Sequence, residues 1–168
     1  MIAIIGCGNA NRCDDGAGLA VLRLLQAQSA FRDNSQVRLF DAGTDGMGVM
    51  FAARGCSTLI VIDACQTGAE PGSVYEVPGV EAETTAPHSL SSHDFRWDHA
   101  LYAGRQIYRE AFPSDVVAYL IEARSLALGC ELSAEVDAAA QKVAALIEAR
   151  VRQLDADFET ADQPAGAV

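Results

Sequence analysis

The residues with the means to do chemistry are few and far apart. Asp14 and Asp15 sit in a glycine-containing loop, Asp63 ends the most apolar run in the chain, and His93 follows Ser91-Ser92. One carboxylate from the first loop, a second from position 63 and an imidazole would suit a divalent first-row metal with open coordination positions. His88 and His99 flank His93, but neither lies at the three- or four-residue spacing that puts two histidines on one helical face. Plainer roles exist for each group. A carboxylate ahead of a helix is favoured by its dipole, Asp63 could accept backbone N–H groups from residues 64–67, and a lone histidine is more often a satisfied residue than a ligand. Ser91 and Ser92 adjoin His93 only in sequence, which is not a nucleophile–base geometry. No cysteine–histidine dyad has sequence support.

The first loop, Gly6-Cys7-Gly8-Asn9-Ala10-Asn11, invites comparison with a dinucleotide fingerprint, and Asp41 would suit a ribose hydroxyl. The third glycine of that fingerprint falls on Asn11, and Asp14 and Asp15 put negative charge where a pyrophosphate would sit. A nucleotide-binding enzyme is therefore the weakest of the functional alternatives.

The elements that must position these groups alternate in type. Strands are expected over 2–6, 37–41, 58–63, 73–77 (a candidate edge strand) and 116–122, from short β-branched or apolar runs. Helices are expected over 17–28, from Thr44 or Asp45 to about 54, from Ser92 or His93 through 94–110, and from a Ser133 cap to about 154. Residues 78–92 read as one irregular loop, long for a compact domain and so functional or mobile. This order predicts a single α/β domain over 1–154, with a mostly parallel twisted sheet and helices on both faces. Residues 155–168 read as a frayed acidic tail. Ligands in such sheets gather beyond the carboxyl ends of the strands, where Asp63 and the first loop fall.

Composition bounds the rest. The 168 residues are half hydrophobic and 21% charged, which excludes wholesale disorder. Twelve basic against 23 acidic side chains give a net charge of −11, which argues against nucleic acid or an anionic membrane as a general partner. No apolar run approaches a membrane span, and the opening Met1-Ile2-Ala3-Ile4-Ile5 reads as a strand rather than a signal peptide. Five cysteines without CxxC spacing argue against a disulfide framework or a zinc knuckle. A reduced, cytoplasmic protein with mostly buried thiols is expected.

Taken in order, Gly-x-Gly-Asn-x-x-x-x-Asp-Asp-Gly-x-Gly, Asp-x-Gly-Thr-x-Gly at 41–46, Val-Ile-Asp-Ala with Pro71-Gly72 downstream, Ser-x-His, and Gly-x-x-Leu-Ser at 129–133 resemble the [NiFe]-hydrogenase maturation endopeptidases over about residues 2–150. The resemblance implies an α/β fold with a five-stranded sheet and an aspartic-type peptidase. Such an enzyme removes a C-terminal extension from a hydrogenase large-subunit precursor after nickel insertion. It implies no permanent cofactor, because the nickel travels with the substrate and serves as the recognition signal. By motif position the metal-contacting and catalytic triad falls on Asp15, Asp63 and His93, with Asp14 the neighbouring alternative to Asp15, and Asp63 acting as ligand or as general base. A non-proteolytic chaperone docking on the nickel-loaded subunit is the alternative. Two segments depart from the family pattern. Asp94-Phe95-Arg96-Trp97 replaces a Gly-Leu after the histidine, and Glu122-Ala123-Arg124-Ser125 lacks the usual proline. Both lie where substrate recognition is expected.

Overall fold

The computed structural model describes residues 1–85 and 95–161. Five strands, β1 (Ile2–Cys7), β2 (Val37–Gly43), β3 (Thr58–Cys65), β4 (Val74–Pro78) and β5 (Asp115–Glu122), form one sheet in the order β2-β1-β3-β5-β4. Strands β1, β2, β3 and β5 pair in parallel and β4 joins β5 antiparallel at the edge, in the register Val74↔Ile121. The expected mostly parallel five-stranded sheet is thus present, and so is the edge strand.

The central strands are continuous apolar runs because both of their faces are covered. Successive side chains alternate: Ile2, Ile4, Ile60 and Ile62 pack on α1 (Ala17–Gln26) and α6 (Ala134–Ala161), with Val143, Ile147 and Val151 opposite them. Ala3, Ile5, Leu59 and Val61 face the other way, onto α3 (Gly46–Ala53) and α5 (Trp97–Tyr108). Asp63 falls in the second set by the same period, so its carboxylate leaves the sheet on the α3–α5 side.

Four expectations need correction. The stretch from 78 holds a short helix, α4 (Gly79–Ala82), where a loop was expected, and another single turn, α2 (Ser29–Arg32), follows α1. One turn is too short to show a 3.6-residue period. Helix α5 begins at Trp97 rather than 94, since the extended Arg96 backbone precedes it and its N–H is accepted by His99 Nδ1. Helix α6 runs to Ala161, seven residues past the expected end at 154. The thiols are not mostly buried: Cys7 and Cys56 are, Cys13 and Cys65 are half-buried, and Cys130 is exposed, all five unpaired. No helix among the described residues is long and apolar enough to cross a membrane.

Candidate functional site

The carboxyl ends of β1, β2 and β3 and the start of α5 enclose a cavity of about 200 Å³, lined by Cys7, Gly8, Asp15, Gly43–Gly46, Asp63, Arg96 and Trp97. Two of the three expected triad residues, Asp15 and Asp63, therefore share one cavity wall. His93 lies outside the described residues. Among the described residues no three His, Cys, Asp or Glu side chains are set to hold a metal ion together.

Asp63 is 8% exposed. Its Oδ1 accepts the N–H of Ala64 at 2.8 Å, the backbone bond anticipated from sequence, and its Oδ2 accepts the indole N–H of Trp97 at 2.7 Å. Burial pushes its pKa up to about 6, against the two hydrogen bonds and the Arg96 charge, which favour ionisation; the Asp15 charge adds to the rise. A carboxyl group at about 6 is mostly ionised at neutral pH yet basic enough to take a proton, which is the range that suits a general base.

The two aspartates of the first loop have parted company. Asp14, 1% exposed, accepts the N–H groups of Arg124, Ser125 and Ser133 and the hydroxyl of Ser133, at 2.7–3.1 Å. It ties the loop to the β5–α6 connection and has no face on the cavity. Ser133, expected as the cap of α6, spends its hydroxyl on Asp14. Asp15 is half-buried and accepts one bond, from the N–H of Asn9 at 3.0 Å, which leaves most of its carboxylate for the cavity. That bond also occupies an amide that a pyrophosphate in this loop would need, as the failed fingerprint suggested.

Close backbone approach fixes the site on two sides. Gly8 has φ +110°, and a Cβ there would lie 1.8 Å from the carbonyl oxygen of Asp15 and 3.5 Å from Asp63 Oδ1. Across the cavity, a Cβ on Gly46 would lie 2.2 Å from the carbonyl oxygen of Phe95 and 2.6 Å from that of Arg96, so α3 and the entry to α5 meet backbone to backbone.

Cys7 lines the same wall, but burial and then the Asp63 charge push its thiol well above the ordinary range, so it is a protonated wall residue and no nucleophile. Behind the site, Glu122 is 2% exposed and accepts bonds from the amides of Thr67 and Gly68, the Thr67 hydroxyl and the Cys65 thiol. Burial opposes its ionisation, yet those donors hold its pKa below the usual value. Burial first, and the Glu122 carboxylate second, raise the Cys65 thiol to about 12.

The sequence singled out neither Arg96 nor Trp97 for the site, although both stand in the segment flagged as departing from the family pattern. His99, the third histidine, serves at the start of α5 and is not a cavity residue.

Comparison with known proteins gives consistent matches. The family profile HycI, hydrogenase maturation protease, matches residues 19–150. The hydrogenase expression/formation protein HoxM of Azotobacter vinelandii is 37% identical over 73 residues, covering 44% of this chain and 34% of that protein. The chain thus spans about a third of the length of the hydrogenase expression/formation proteins it matches. Among solved structures, the hydrogenase maturating endopeptidase HybD from E. coli superposes with a TM-score of 0.74 at 20% identity, over 90% of this chain and 92% of that one. The [NiFe] hydrogenase maturation protease HycI from Thermococcus kodakarensis gives 0.66 at 22%, over 87% and 88%. At those identities the superpositions establish the fold.

Proposed function

The chain belongs to the hydrogenase maturation protease family, and from that premise we propose that it is an endopeptidase acting on a [NiFe]-hydrogenase large-subunit precursor. It removes the C-terminal extension after nickel insertion and recognises the nickel that the precursor carries. The observation that carries this reading is the pairing of Asp15 and Asp63 on one cavity wall at the strand ends, one carboxylate lightly bonded and the other held by two N–H groups.

In this proposal Asp15, Asp63 and His93 are the metal-contacting and catalytic set, offering two oxygens and one nitrogen to the substrate's nickel. No resident cofactor is needed, since the ion arrives as part of the substrate. Water adds to the scissile carbonyl carbon, the C–N bond breaks, and the proton taken from water passes to the departing amine. Asp63, raised by burial to about 6, is matched to carry that proton at neutral pH. General-base assistance of this kind contributes about 10²–10⁴-fold. The enzyme is aspartic-type in the sense that its reactive groups are carboxylates. Cytoplasmic precursor is the expected partner, and the −11 charge offers nothing to nucleic acid or an anionic membrane.

The test is to incubate the protein with nickel-loaded precursor and weigh the large subunit. Loss of C-terminal mass with wild type, abolished in Asp15→Ala, Asp63→Ala and His93→Ala, is the expected result. Wild-type processing by Asp15→Ala and Asp63→Ala would overturn the site assignment. A stable complex with both masses unchanged would make the protein a chaperone instead.

A further inference from the structure

Asp63 is held by two donors of different origin. The Ala64 N–H belongs to the next residue of the same strand and comes with it. The indole N–H comes from Trp97, 34 residues along the chain and on another element. With one N–H on each oxygen, the carboxylate cannot turn about its Cβ–Cγ bond without breaking both.

The donor itself is fixed. Trp97 is 6% exposed and packs in the apolar layer with Ile5, Val61 and Leu101. It is the first residue of α5, and the backbone just before it lies against Gly46 with no room for a Cβ between them. An indole nitrogen is a donor only, so it can serve nothing but an acceptor, and a bond to a carboxylate is among the stronger kinds. A tryptophan that merely filled the core would be satisfied by any nearby carbonyl. Here the acceptor is the buried carboxylate of the cavity.

We propose that Trp97 is a positioning residue for the proposed reaction, its indole N–H holding the Asp63 carboxylate in one fixed plane at the cavity wall. The inference rests on the endopeptidase reading for its consequence in turnover, but the contact itself can be tested without it.

Trp97 is the single tryptophan of the chain. Expression in a tryptophan auxotroph fed β-(benzothiophen-3-yl)alanine therefore exchanges one N–H for sulfur and keeps the ring. With nickel-loaded precursor, kcat should fall about tenfold at unchanged KM, the size expected for losing one hydrogen bond to a charged group. The melting temperature should stay within a few degrees. Protein made with 5-fluorotryptophan, which keeps the N–H, should restore the rate. Wild-type kcat in the sulfur analogue would overturn the proposal, and so would a raised KM at unchanged kcat, which would mark uniform substrate binding. Independently, uniformly ¹⁵N-labelled protein gives one indole N–H resonance, which Asp63→Asn should shift upfield. An unmoved resonance would overturn the contact. Should wild type cleave nothing, the endopeptidase reading fails on its own account, and this resonance alone decides whether Trp97 holds Asp63.

Discussion

Adjacent aspartates with opposite duties provide the sharpest perturbation. Asp14 accepts four hydrogen bonds, three from backbone N–H groups that belong to the β5–α6 connection. In Asp14→Ala these donors lose their acceptor, and at about 1 kcal/mol for each bond the gross loss is about 4 kcal/mol. Water entering the vacated space would recover part of it, so a net loss of about 3 kcal/mol is expected. That is a large share of the 5–15 kcal/mol typical of a domain and lowers Tm by about 10 °C at this chain length. Asp15 accepts one bond while half-buried, and its replacement by alanine should cost no more than about 1 kcal/mol. Urea unfolding of both variants beside wild type, followed by the precursor mass assay below every midpoint, separates the roles. Asp15→Ala should be folded and inactive, Asp14→Ala measurably destabilised. Asp14→Asn should fall between wild type and Asp14→Ala, because an amide keeps one accepting oxygen. An Asp14→Ala protein within 1 kcal/mol of wild type, or an Asp15→Ala protein that loses more than 3, would refute the assignment of holder and actor.

Other consequences are as direct. Asp63 has its pKa raised from 3.8 to about 6 in the folded state, so between those values the native protein binds more protons than the unfolded chain, and stability falls as pH rises. The loss attributable to this residue is about 3 kcal/mol across that window and constant above it; urea midpoints of wild type relative to Asp63→Asn, measured from pH 4 to 7, should show it, and a relative gain with rising pH would contradict the burial effect. Gly8→Ala forces a Cβ onto the Asp15 carbonyl at a φ of +110°, and should cost about 2–4 kcal/mol and abolish processing. In Glu122→Gln the Cys65 thiol loses a negative neighbour, so it should alkylate faster with iodoacetamide at pH 8.5 than in wild type, with burial still keeping it slow.

Much of the frame can be read in the residues because burial on both faces leaves an unmistakable trace. Residues 59–62 of β3 are apolar without a break and fully buried, and Asp63 stands out by ending that run. The same period-2 geometry places it on the α3–α5 side. What distinguishes Asp14 from Asp15 is not local. Their partners lie at Asn9 in one case and at 124, 125 and 133 in the other, and no spacing rule in the first loop separates them. Trp97 is hidden for the same reason, since by periodicity it is only the apolar residue that opens α5. Helix α6 outruns its apolar stripe, whose last buried member is Val151. Beyond it Arg152, Gln153, Asp157 and Phe158 are exposed, Phe158 at 53%, so the sequence there resembles a tail while the backbone remains helical.

The two departures from the family pattern acquire a common explanation from these contacts. Residues 94–97 and 122–125 were expected to alter substrate recognition, and Arg96 does line the cavity. The contacts of Trp97, Arg124 and Ser125 point inward, to the end of β3 that carries Asp63 and to the first loop that carries Asp14 and Asp15. Trp97 bonds Asp63, and the N–H groups of Arg124 and Ser125 bond Asp14, the residue beside Asp15. A proline at either 124 or 125 would bring no N–H and would leave Asp14 one donor short. Glu122, from the same segment, holds the amides of Thr67 and Gly68 just after β3, so it braces the strand end that presents Asp63. Both segments thus supply donors or acceptors that fix the end of β3 or the first loop, and a chain with proline at 124 would hold its first loop with one bond fewer. Proline at 124 should therefore weaken the fold without changing which carboxylates face the cavity, which Arg96 and Trp97 line from the other segment.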